Sequence, residues 1–137
     1  MIVADTGAIV ALIDRDDAHH GTLLALFKED PSQWLLPWAI LPEVDYLLSS
    51  YVGIDAERAF VSDIAKGSFR TDWGVDDDLR RADELNLQYR DLKLGLVDTV
   101  VMAIAERTRA KAIATIDERH FGAVVLHGEP RLLPRDL

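Results

Sequence analysis

Four carboxylates, Asp5, Glu43, Asp98 and Asp117, stand where a side chain can do chemistry, separated by 38, 55 and 19 positions. Asp5 follows the apolar run Ile2–Ala4, and Glu43 follows Pro42 near the start of an amphipathic stretch. Asp98 opens the apolar run Val97–Ala105, and Asp117 follows Ala112–Ile116. Carboxylates packed together repel, and one takes up a proton unless a cation intervenes. Oxygen donors alone, with no cysteine in the chain and no histidine among the four, select a hard ion such as Mg²⁺ or Mn²⁺. Hard ions at a carboxylate cluster suit in-line attack on a phosphodiester, where they activate water and stabilise the leaving oxygen. Each acid also has a plainer reading. Asp5 and Asp98 can be helix caps, Glu43 can complement a helix dipole, and Asp117 can turn the chain. With 24 acids in the chain, single acids at element ends carry little weight; their joint placement carries more.

That placement depends on the elements around them. Ile2–Ala4 reads as a buried strand, with a helix from Asp5-Thr6-Gly7 through Ile13 that stops at the Asp14–Asp17 cluster. A second helix spans His19 to Phe27 and breaks at Pro31-Ser32. Trp34–Leu36 is a second strand. Val44, Leu47, Leu48, Tyr51 and Val52 then mark one apolar helix face, ended by Gly53. Asp55 is expected to cap a helix reaching about Lys66, Ser68–Thr71 to form a third strand, and Val75–Tyr89 an amphipathic helix. Val97–Ala105 reads as a buried helix, with Ala112–Ile116 and Ala123–Leu126 as strands four and five. Alternating strands and helices, with strands apolar on both faces, predict a parallel sheet covered by helices on each side. Ligands bind such sheets outside the carboxyl ends of the strands. Asp5 and Asp117 end strands there, and right-handed crossovers bring the helix starts bearing Glu43 and Asp98 to the same edge.

The 137 residues fit one domain, 1–137, and 49% hydrophobic content supports a folded globule. No apolar run approaches the ~18 residues of a membrane span. The N-terminus lacks a basic leader, so the expected location is the cytoplasm, with no membrane partner. The net charge of -9 counts against a simple nucleic-acid binder. Part of it is local: Asp72–Asp91 holds seven acids and three bases, whereas Arg107–His120 tilts basic.

Four segments together resemble the PIN-domain nucleases, and within them the VapC-type toxins of toxin–antitoxin pairs, along essentially the whole chain. Ile2-Val3-Ala4-Asp5-Thr6-Gly7 is similar to the family's strand ending in Asp then Ser or Thr, with Gly7 in place of a second small polar residue. Leu41-Pro42-Glu43-Val44-Asp45-Tyr46-Leu47-Leu48 resembles its Glu-bearing helix. Gly95-Leu96-Val97-Asp98-Thr99 through Ala105-Glu106 resembles the third acidic motif, and Ala114-Thr115-Ile116-Asp117-Glu118-Arg119-His120-Phe121 the fourth. The resemblance implies a single PIN-like α/β domain with a five-stranded parallel sheet between helices. It implies Mg²⁺- or Mn²⁺-dependent cleavage of an RNA substrate, a homodimer, and a cognate antitoxin that blocks the site. Asp5, Asp98 and Asp117 would hold or orient metal, and Glu43 would complete the acidic site. Thr6 and Thr115 would support them with hydroxyls, or be ordinary caps. Arg119 and His120 are candidates for phosphate contacts, with surface or packing roles as the alternative. Asp91 is left unassigned. An acidic toxin would attract a basic antitoxin segment. Haloacid-dehalogenase-like phosphatases need an acid where Gly7 stands, and response-regulator receivers need a Lys after the last strand, where His127-Gly128 follows Leu126. The remaining rival is a PIN-like interaction module that cleaves nothing.

Overall fold

A computed structural model describes residues 1–137. Five strands form one all-parallel sheet in the order β3-β2-β1-β4-β5: β1 (Ile2–Ala4), β2 (Trp34–Pro37), β3 (Arg70–Asp72), β4 (Ala112–Ala114) and β5 (Arg131–Leu133). Seven helices connect them: α1 (Thr6–Ile13), α2 (His20–Glu29), α3 (Leu41–Leu47), α4 (Ile54–Lys66), α5 (Asp76–Gln88), α6 (Gly95–Arg107) and α7 (Glu118–Phe121). The chain moves outward from β1 to β2 to β3, then returns through α5 and α6 to place β4 on the other side of β1. With right-handed crossovers, the outward connections cover one face of the sheet and the return connections the other. Accordingly α6 packs on β1 and β2 as it crosses them.

Ile2, Val3 and Ala4 of β1 and Ala112, Ile113 and Ala114 of β4 are all buried, as strands covered on both faces must be. Val100 to Ala105 is buried without a break, because α6 is held between the sheet and α5. Two ion pairs close that helix hairpin: Arg81 Nε to Glu106 Oε1 at 2.6 Å and Arg107 Nε to the buried Asp78 Oδ1 at 2.8 Å. The sheet edge is different. Arg70 is exposed and Thr71 and Asp72 half-buried, so β3 is a polar edge strand, contrary to the expectation that all strands are apolar on both faces.

Two further expectations need correction. The fifth strand is Arg131–Leu133, not Ala123–Leu126. Val124 and Leu126 are buried and Val125 is exposed, so the segment has strand-like alternation while its side chains anchor a loop. The ladder to β4 is made instead by Arg131, Leu132 and Leu133, paired with Ala112, Ile113 and Ala114. Asp55 does not cap α4. Gly53 occupies the cap position at φ 151°, where an L side chain is disfavoured, and Asp55 lies in the first turn. The amphipathic stretch after Pro42 also changes pitch, from α-helix to a wider π-turn over Leu48–Val52. No helix is long and apolar enough to cross a membrane.

Candidate active site

β1 and β4 are adjacent strands whose connections leave in opposite directions, and a crevice opens at such a switch point beyond the carboxyl ends. Asp5 leaves β1 there, its backbone N–H donating to Ala114 O of β4 at 2.8 Å. Its position heads α1, yet its side chain makes no cap hydrogen bond. The carboxylate turns toward β4 instead, where the Thr115 hydroxyl donates to Asp5 Oδ2 at 3.0 Å. The same hydroxyl oxygen accepts from the Asp117 N–H at 3.0 Å. One buried threonine therefore ties the first acid to the fourth.

Asp98 lies in the first turn of α6, half-buried. His120 lies three residues after Asp117 across the single turn of α7, which puts both side chains on one side. Its Nδ1 is 2.7 Å from Asp98 Oδ2 and 3.1 Å from Asp117 Oδ2. The His120 backbone N–H also donates to Asp117 Oδ1 at 3.1 Å. One donor atom from each of Asp98, Asp117 and His120 lies within 4.8 Å of the other two.

Electrostatics places the remaining members. Burial raises the Asp5 carboxyl from 3.8 to about 7, with the charges of Asp98 and Asp117 adding to the rise and bonds to Thr6 and Thr115 opposing it. Burial also raises the Asp98 carboxyl. The His120 contact lowers it, and the nearby charges of Asp117 and Glu43 raise it again. Glu43 is thus close enough to act on Asp98 while remaining exposed in the first turn of α3. The structure brings all four sequence-derived acids to one end of the sheet. A divalent cation fits this set: it compensates the buried negative charge that raises Asp5 and Asp98 and the smaller repulsion among their neighbours. Thr6 Oγ1 is buried beside Asp5 with no hydrogen-bond partner. Gly7 has a local reason, since a Cβ there would meet Ile116 Cγ1 at 2.9 Å.

The basic tilt of Arg107–His120 does not form one substrate-facing surface. Arg107 is engaged by Asp78 and Asp72, and His120 by the two carboxylates. Arg119, beside Asp117 and exposed, carries no ion pair. The expectation of oxygen-only donors also changes, because an imidazole stands among them. The three-residue spacing of Asp117 and His120 was the available signal. Asp91 is exposed in the turn Arg90–Leu92 and outside this group. A cleft of about 460 Å³ between α5 and α6 is lined by charged side chains, chiefly Asp78, Arg81, Glu106 and Arg107, that already pair with one another. It is a structural seam.

A family model for the PIN domain matches residues 2–125. Ribonuclease VapC26 of Mycobacterium tuberculosis (strain ATCC 25618 / H37Rv) is 27% identical over 123 residues, covering 90% of this chain and 91% of that protein. Among solved structures, VapC20 of Mycobacterium tuberculosis, a sarcin-ricin loop cleaving toxin, superposes with TM-score 0.79 at 22% identity, covering 91% of this chain and 97% of that one. VapBC2 from Rickettsia felis, bound to a promoter DNA fragment, gives TM-score 0.68 at 16% identity, covering 96% and 97%. At these identities the two structures speak to the fold.

Proposed function

The chain belongs to the PIN-domain family, and from that membership we propose that it is a divalent-metal-dependent endoribonuclease acting as the toxin of a toxin–antitoxin pair. The observation that carries the reading is the gathering of Asp5, Asp98 and Asp117 at the β1–β4 switch point, with Asp5 turned away from its cap and toward Thr115. The names of the relatives, a ribonuclease and a loop-cleaving toxin, support the RNA substrate and the toxin role. The toxin–antitoxin complex among the neighbours supports a cognate antitoxin.

In this reading Asp5, Asp98 and Asp117 hold Mg²⁺ or Mn²⁺. The ion supplies Lewis acidity, acidifying water and offsetting charge on the phosphate and leaving oxygens. Thr115 fixes the Asp5 carboxylate and the Asp117 backbone at one spacing. Glu43, exposed beside Asp98, completes the acidic site and has room to accept the proton from the attacking water. Arg119 contacts a phosphate of the RNA. Water attack in line forms a new P–O bond and breaks the bond to the 3′-oxygen, which leaves with a proton.

The supporting interaction surface lies on α3 and the turn after it. Val44 and Leu48 serve the core, whereas Tyr46 on α3 and Tyr51 in the turn after it are each exposed, as is Ile54 at the start of α4. A homodimer contact there accounts for aromatic side chains left in solvent. Purified protein should cleave RNA with Mn²⁺ and not with EDTA. An inactive wild type with Mn²⁺ bound would favour the interaction-module reading instead.

A further inference from the structure

We propose that His120 is itself a ligand of the divalent cation through Nδ1, making the centre a mixed carboxylate–imidazole site that favours Mn²⁺ over Mg²⁺. This rests on the reading that the carboxylates hold a cation. The His120 Nδ1 spacings of 2.7 Å and 3.1 Å to Asp98 and Asp117 are hydrogen-bond distances. They are also close to the edge of a coordination octahedron, where neighbouring donors about 2.1 Å from an ion lie about 3 Å apart. An ion entering between these atoms takes the place of the shared proton and needs little movement of the chain.

The local structure holds the ring in this pose. Asp117 accepts from the His120 backbone N–H, and the next residue, Phe121, is buried in the core. Nε2 makes no hydrogen bond to the protein, so it is free to carry the proton while Nδ1 presents its lone pair. A phosphate contact from the same nitrogen would require the ring to abandon both carboxylates. Arg119 has no such tie. The two neighbours therefore divide the work: Arg119 faces the substrate and His120 the ion. Imidazole nitrogen is a softer donor than carboxylate oxygen, and it suits Mn²⁺ and later transition metals better than Mg²⁺. The other three histidines lie elsewhere. His19 and His127 are exposed, and His20 bonds Ala11 O through Nδ1.

The test uses Mn²⁺ alone with the purified full chain, read by electron paramagnetic resonance. Pulsed spectra of the wild type should show coupling from a directly bound nitrogen, and labelling the histidines with nitrogen-15 should change it. His120→Ala should lose the coupling and weaken Mn²⁺ binding by at least about tenfold, with a smaller loss for Mg²⁺ measured by competition. Bound Mn²⁺ with no histidine-dependent coupling would overturn the proposal and leave the carboxylate site standing. No binding at millimolar Mn²⁺ would overturn both. The labelling experiment needs no variant, so it decides the matter even if His120→Ala folds poorly.

Discussion

Replacing Asp5 by Asn should stabilise the metal-free protein, and only above acidic pH. Asn keeps the shape and an acceptor oxygen for the Thr115 hydroxyl, now 3.0 Å from Asp5 Oδ2, so the change removes a charge and little else. Burial raises the Asp5 carboxyl from 3.8 to about 7. A group raised in the folded state keeps its proton there after the unfolded chain has lost it. Wild-type stability therefore falls as pH rises from about 4 to about 7, and the full penalty applies above that window. At about 1.4 kcal/mol for each pH unit, a rise from 3.8 to about 7 sets a ceiling of roughly 4 kcal/mol. Local relaxation takes part of it, leaving about 2–4 kcal/mol, or about 6–14 °C in Tm for a chain of this size. Calorimetry in EDTA from pH 5 to 8 should show Asp5→Asn pulling ahead of wild type as pH rises. Saturating Mn²⁺ should close the gap, since wild type gains about 2.7 kcal/mol at 100 times Kd and the variant gains less. A variant less stable than wild type at pH 8 in EDTA, or a gap that does not change with pH, would refute the buried-charge argument.

Thr115→Val removes the hydroxyl between Asp5 and Asp117; it should cost about 1–2 kcal/mol in Tm measurements and about 10- to 100-fold in Mn²⁺ affinity by titration. Arg107→Ala leaves the buried Asp78 without its main partner; with the arginine itself a third exposed, denaturant unfolding should show a loss of about 2–3 kcal/mol. Arg119→Ala should raise KM for RNA with kcat nearly unchanged, because a phosphate contact made equally before and during reaction binds without accelerating. Sedimentation at micromolar concentration should give a dimer that Tyr51→Arg converts to monomer; a wild-type monomer would sink the dimer.

The sequence was readable where periodicity and burial coincide. β1, β2, β4, α1, α5 and α6 lie within a few residues of where hydrophobic pattern puts them, because each buries an apolar run or, in α5, a helically spaced face with Ala82 and Leu85. The four acids were readable for a related reason, since parallel topology sends strand ends and helix starts to one edge. β5 was not. Val124 and Leu126 fill core space without joining the ladder, and alternation alone does not report where backbone hydrogen bonds go. Nor did the polar edge strand announce its limits: β3 is Arg70–Asp72, two residues later than Ser68 suggests. At the site, the acids showed through residue type, but the role of His120 depends on a ring direction. Spacing from Asp117 allows that direction, and only the path of α7 against α6 decides it.

The most direct measurement is the chemistry of the cut ends. The site has no acid–base histidine pair to drive attack by the 2′-hydroxyl of RNA, since His120 is held between two carboxylates. Purified protein with Mn²⁺ should yield 5′-phosphate and 3′-hydroxyl ends. It should still cut a substrate with a single 2′-deoxy nucleotide at the scissile position, more slowly where that hydroxyl aids recognition. Asp98→Asn and EDTA should each abolish cleavage. A 2′,3′-cyclic phosphate product, or full activity in EDTA, would contradict the account.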